Sequence, residues 1–229
     1  MPGGARPRCG DARGDCGLDH GRGHPSRPHR RGPGNVAARV AGLILAGGAG
    51  VRFGGPKAFA VLPDGRTFLA ACAEALGSGG ASPIVATLPP DAAAPHPAGL
   101  VAVPLASPGL PMFESIKAGL GLLLASPGWD TVVVLPVDHP LVRPDTVRAL
   151  AGAGGGAAIP SFRGKHGHPV ALARAVATTI ANGERPGPTL REVLHDVRVV
   201  VVEVDDPGVT ANCNTPEALA AVLAITPPD

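Results

Sequence analysis

Residues 40–46, VAGLILA, form an uncharged apolar run that passes without a break into GGAGVRFGG, where five of nine residues are glycine. An apolar run of that length bounded by turn formers reads as a strand buried on both faces. Glycines directly beyond such a strand let backbone N–H groups approach phosphate oxygens closely, because no side chain intervenes. The pair constrains the chain to an α/β sheet whose first strand ends in an anion-binding loop.

The rest of the chain continues that pattern. Residues 83–88, 100–105 and 131–137 are short, free of charge and rich in valine, isoleucine or leucine. Between them, residues 67–77, 112–125 and 144–152 carry apolar residues at helical spacing, with prolines and glycines as punctuation. The order strand, helix, strand predicts a three-layer α/β/α, Rossmann-like, mostly parallel sheet in a single domain. Further on, residues 157–161 and 170–173 flank the loop FRGKHGH, 188–195 reads as a short helix, 197–204 as a strand and 216–224 as a closing helix. Ligands collect at the carboxyl ends of strands in such sheets. The glycine loop, PVDHP and NCNTPE all fall at that kind of place.

At 229 residues and 45% hydrophobic, the chain can bury one core of ordinary size. Residues 1–39 hold eight arginines and three aspartates, a net of +5, and the whole chain carries +2, which leaves 2 − 5 = −3 for residues 40–229. The basic residues sit in a Gly/Pro/Arg/His segment without apolar periodicity, so the expected division is a disordered tail over 1–39 and a folded domain over 40–229. Nucleic acid is not an expected partner. No run is long and apolar enough for a bilayer or a secretory signal, and the expectation is a cytoplasmic protein. Cys9, Cys16, His20 and His24 could surround a zinc ion, but their spacing matches no finger. Cys72 and Cys213 stand alone in segments read as helix and loop, as reduced thiols do, and neither has an obvious base beside it.

Two familiar phosphate loops fail on this stretch. The dinucleotide fingerprint GxGxxG, laid on Gly48 and Gly50, ends on Phe53, and Pro56 delays the helix. The loop GxxxxGK[ST], laid on Gly50 and Gly55, meets Pro56 before Lys57, and Ala58 stands where a magnesium-binding hydroxyl is needed. Leu45-Ala46-Gly47-Gly48-x-Gly50-x-Arg52-x-Gly54-x-x-Lys57 resembles, without a mismatch, the LAGGxGxRxGxxK signature of the molybdenum cofactor cytidylyl- and guanylyltransferase group. The resemblance implies a nucleotide-diphospho-sugar transferase-like fold and nucleotide binding by Leu45, Ala46, Gly47, Gly48, Gly50, Arg52 and Lys57. Arg52 and Lys57 are then catalytic, since two cations on a loop neutralise the charge that grows on departing pyrophosphate.

Three further stretches resemble segments of the same group. PVDHP places Asp138 between Pro136 and Pro140, and resembles the segment PxDxP whose aspartate binds the catalytic metal, so Asp138 is expected to be catalytic and to ligate Mg2+. An aspartate in a turn is otherwise a turn former. NCNTPEAL resembles DIDTPED with Asn212 and Asn214 in place of aspartates, and Asn214 is expected as a second ligand, one whose amide oxygen adds no negative charge. Asn214 or Thr215 followed by Pro216 is also a good helix start in its own right. FRGKHGHPVAL resembles the GHP segment of the cytidylyl branch, which implies acceptor binding by Arg163, His166 and His168, with Lys165 in the same basic cluster. Ser115, early in the helix 112–125, is expected at the nucleotide.

The implied reaction is Mg2+-dependent transfer of NMP from an NTP to a phosphorylated acceptor, with pyrophosphate released. By resemblance the acceptor is molybdopterin carrying molybdenum, and a molybdenum hydroxylase receives the product. GHPV and PVDHP lean toward CTP, whereas Gly47 matches the form more usual with GTP. A sugar-phosphate nucleotidyltransferase, an NAD(P)H-dependent oxidoreductase and a cofactor-binding chaperone are the competing readings.

Overall fold

A computed structural model describes residues 39–48, 55–90, 92, 96–107, 109–184 and 189–225. Cys9, Cys16, His20 and His24 of the tail, and Gly50 and Arg52 of the glycine loop, lie outside the described residues. The strands are β1 (Val40–Leu45), β2 (Ala81–Leu88), β3 (Leu100–Pro104), β4 (Thr131–Pro136), β5 (Ala157–Phe162), β6 (Lys165–His166), β7 (Val170–Ala173) and β8 (Val199–Glu203). The helices are α1 (Phe68–Ser78), α2 (Met112–Ala125), α3 (Pro144–Gly152), α4 (Arg174–Ala181), α5 (Leu190–His195) and α6 (Pro216–Ile225).

One eight-stranded sheet runs β3-β2-β1-β4-β7-β5-β6, with β8 on β5. β3, β2, β1 and β4 are mutually parallel, and β5 is parallel to β8. Side chains alternate along the central strands. Ile44, Val133 and Leu135 join Phe68, Leu69 and Leu76 of α1 and Val147 and Leu150 of α3 in one core. Leu43, Leu45, Val132 and Val134 join Phe113, Ile116, Leu120 and Leu123 of α2 and Val176 and Ile180 of α4 in a second. A sheet buried on both faces is the expected three-layer arrangement.

The departure from parallel pairing is the return of the chain beyond β5: β6 is antiparallel to β5, and β7 to both β4 and β5. Its cause is the two-residue tip between β5 and β6, where Arg163 (φ 51°) and Gly164 (φ 76°) both take positive φ. A tip that tight returns the chain at once, so the next strand runs antiparallel instead of crossing over. β7 therefore starts with Val170 paired to Val134, near the carboxyl end of β4. His168, just before β7, arrives beside the residues that follow β4.

Behind this edge lies a buried carboxylate. Asp206 accepts from Arg143 N at 2.8 Å, Thr146 Oγ1 at 2.6 Å and Gly208 N at 2.8 Å, tying the 3-10 turn Pro207–Val209 to the start of α3. Asp206→Ala leaves three donors without their acceptor, and the expected loss is about 3 kcal/mol of stability. Urea unfolding is to show a lower midpoint at unchanged slope; an unshifted midpoint refutes the assignment.

Candidate functional site

The carboxyl ends of β1 and β4 lie side by side, with Leu45 in register with Pro136. Val137 N donates to Leu45 O at 3.0 Å and Ala46 N to Thr87 O at 3.0 Å, so the glycine loop and PVDHP leave the sheet as neighbours. A Cβ on Gly47 would lie 2.2 Å from Leu105 Cδ1 and 3.5 Å from Ser115 Oγ, so the chain passes here with no room for a side chain. Ser115 is buried at that contact, in the first turn of α2. Among the described residues, nothing lies within 4 Å of the position a Cβ on Gly48 would take.

Lys57 opens the 3-10 turn Lys57–Phe59, anchored by the fully buried Ala58 and by the bond Phe59 N to Pro56 O at 3.0 Å. Its ammonium donates to Asn214 Oδ1. The helix-starting role belongs to Thr215, whose Oγ1 accepts from Ala218 N at 3.2 Å. Cys213 N donates to Asp138 O at 2.8 Å, which fixes NCNTPE against PVDHP. Lys57, Asn214 and Asp138 thus converge from three distant segments.

Asp138 is half-buried, and among the described residues its carboxylate has no hydrogen-bond or ion-pair partner. Its charge is felt by its neighbours. Burial depresses the His139 pKa, Asp138 pulls it back up and Lys57 pushes it down again. Burial, helped by Asp138, pushes the Cys213 thiol up to about 11 against Lys57, and burial raises Cys72 as well. Both buried thiols stay protonated, and both are free, as the sequence reading of reduced thiols expects.

The rings of His139 and His168 lie 4.9 Å apart, tilted by 60°. His139 Nδ1 sits 3.3 Å from Gly208 O, and His168 N donates to Val209 O at 2.8 Å. A Cβ on Gly167 would fall 2.0 Å from Val209 O, so this segment lies flat on the 207–209 turn only because residue 167 has no side chain. Burial, with His139 second, lowers the His168 pKa from 6.5 to about 4, and Asp138 opposes the shift. The unfolded chain therefore binds a proton between those values that the folded one lacks. The stability this neutral ring preserves is complete above pH 6.5 and is lost as pH falls toward 4, by up to about 3 kcal/mol. The melting temperature of His168→Gln is expected to fall less than that of the parent between pH 7.5 and 5. Equal falls would contradict the burial argument.

Beside the two imidazoles opens a cavity of about 830 Å3. Met112, Phe113 and Ile116 of α2 and Leu190 and Leu194 of α5 supply its apolar walls, and His139, Lys165, His166, His168, Arg191 and Asn212 its polar ones. Arg163 is not among the walls; it lies exposed at the hairpin tip, its guanidinium 4.9 Å from the centroid of the Phe162 ring. Of the expected acceptor residues, the structure brings together His166 and His168, and it adds His139 and Arg191. His139 carried a signal, being next to Asp138 in PVDHP. Arg191 carried none, since a charge on a short helix reads as solvated surface.

The MobA-like NTP transferase domain profile matches residues 42–200. The chain belongs to this family. NCNTPE, with Asn214, lies beyond the matched residues. A molybdenum cofactor guanylyltransferase of Cereibacter sphaeroides is 34% identical over 152 residues, 64% of this chain and 77% of that protein. The bifunctional enzyme IspD/IspF of Novosphingobium aromaticivorans is 42% identical over 89 residues, 37% of this chain and only 23% of that enzyme. Solved structures of Rv0371c from Mycobacterium tuberculosis, one of them a complex with manganese, superpose with TM-scores of 0.64 and 0.61 at 24% and 22% identity. Each covers 82% of this chain and the whole of that one. The chain shares the fold of these solved structures, with a mostly parallel sheet flanked by helices, and no helix among the described residues is long and apolar enough to cross a membrane.

Proposed function

We propose that this MobA-like domain transfers CMP from CTP to the phosphate of a molybdopterin-type acceptor and releases pyrophosphate, with a Mg2+ ion as cofactor. The convergence of Lys57, Asn214 and Asp138 beside a cavity of acceptor size carries the reading. An acceptor phosphate oxygen attacks the α-phosphorus in line; the bond to the β-phosphate bridging oxygen breaks, and its electron pair leaves with pyrophosphate. Lys57 exchanges the Asn214 oxygen for phosphate oxygens and meets the charge that grows on the leaving group. Backbone N–H groups at Gly47 and Gly48 face the triphosphate, and Arg52 is assigned to the same task.

The donor set suits a hard divalent ion. Asp138 offers a carboxylate without a partner among the described residues, and the Asn214 oxygen already accepts a cation, the Lys57 ammonium. Asp138 and Asn214 would hold the ion, which supplies charge neutralisation and Lewis-acid polarisation at the α-phosphate. His139 and His168, kept neutral by burial, border the acceptor without adding charge beside Asp138. A cytoplasmic location, the division into a tail (1–39) and a catalytic domain (40–229), and delivery of the product to a molybdenum hydroxylase belong to this proposal.

CTP rests on GHPV and PVDHP. The second reading, GTP, rests on Gly47 and on the relative named as a guanylyltransferase. An oxidoreductase reading gains nothing from the family match, and a chaperone without catalysis would bind cofactor yet release no pyrophosphate. Mass spectrometry of the product formed from Mg2+, the four NTPs and molybdopterin decides among these. A CMP adduct supports the proposal, a GMP adduct moves it to the second reading, and no adduct with any NTP overturns it.

A further inference from the structure

We infer that Lys165 and Arg191 form a cationic clamp on the walls of the cavity beside His139, taking a second anionic group carried on the apolar body of the acceptor. The inference rests on the nucleotidyltransferase reading for calling that ligand the acceptor, but its physical basis is separate. Lys165 comes from β6 and Arg191 from α5, and both line the same cavity. Among its described wall residues there is no aspartate or glutamate. Neither cation has a hydrogen-bond or ion-pair partner among the described residues. Four other cations are neutralised by carboxylates, Arg39 by Asp130, Arg66 by Asp64 and Glu74, Lys117 by Glu114 and Arg148 by Asp145, whereas Arg143 and Arg174 rest on backbone carbonyls and Arg163 on a ring.

Lys165 and Arg191 are both exposed, on β6 and α5, and two like charges facing one concave cavity raise the potential it presents to an incoming anion. The reacting phosphate does not meet that charge. Lys57, Asp138 and Asn214 are not walls of the cavity, which borders them through His139 and Asn212. An acceptor that presents its phosphate to Asp138 places its body against Phe113, Ile116 and Leu194, and the clamp then holds a second carboxylate, phosphate or comparable anion. A neutral polyol body would lay its hydroxyls against those same apolar walls at a desolvation cost.

Two fluorescent probes with one ring system test this on the full chain: 8-anilinonaphthalene-1-sulfonate, which is anionic, and N-phenyl-1-naphthylamine, which is not. The wild type is expected to bind the sulfonate at least tenfold more tightly than the neutral amine, with the difference shrinking as salt rises. The Lys165→Gln/Arg191→Gln double variant narrows the difference to within about twofold, through the sulfonate alone, and Arg191→Lys restores most of it. A double variant that binds the sulfonate as the wild type does, or that loses both probes equally, overturns the clamp. CTP and GTP titrations with Mg2+ on the same two proteins separate the two ideas. Absent nucleotide binding sinks the transferase reading and leaves the clamp standing, whereas normal nucleotide binding without probe discrimination sinks the clamp alone.

Discussion

Asp138→Asn lowers pyrophosphate release by at least about 1000-fold, close to 4 kcal/mol of transition-state stabilisation, while the protein stays folded. The carboxylate makes no hydrogen bond or ion pair among the described residues, so an amide of the same shape breaks nothing in the free protein. Its backbone oxygen, which accepts from Cys213 N at 2.8 Å, is untouched by the substitution. Only negative charge is lost, at the residue proposed to hold the divalent ion. The urea midpoint should therefore match the parent, and Mn2+ affinity in the presence of CTP, read by electron paramagnetic resonance, should fall together with the rate. A rate within tenfold of the parent would remove Asp138 from the chemistry. A collapsed midpoint would make it a structural residue.

The strand that leads into the glycine loop, and the place of PVDHP at the end of β4, could be read directly because both are local. Val40–Leu45 is apolar on both faces, so its strand and its layer follow from pattern. The pairing of Leu45 with Pro136 then follows from ordinary parallel register. What could not be read is what depends on β7. Residues 157–161 and 170–173 announce two strands around a loop, but nothing in their composition says that the second inserts between β4 and β5. That insertion sets His168 beside His139, and the cavity walls follow from it. Arg163 shows the same limit from the other side: grouped with His166 by sequence, it is carried away by the positive φ of the hairpin tip. Arg191 belongs to the cavity through the packing of α5, which no spacing rule encodes.

Lys57→Gln lowers the rate by about 100-fold, near 2.7 kcal/mol, and Lys57→Arg recovers part of it. The lysine is placed by its own turn, with Ala58 buried beneath it, so a shorter polar side chain keeps the backbone where it is. In the free protein its ammonium rests on Asn214 Oδ1, an oxygen also proposed to face the metal. If, as proposed, Lys57 turns to phosphate and Asn214 to the ion, the two residues act as one exchange and their effects should not add. A double-mutant cycle of Lys57→Gln with Asn214→Ala, measured on pyrophosphate release, is expected to show a coupling of about 1 kcal/mol or more. Strict additivity would mean that Lys57 and Asn214 touch the nucleotide independently, and that their contact in the free protein has no part in the reaction. Lys57→Gln with an unchanged rate would go further, leaving the glycine loop a turn without a charge to use.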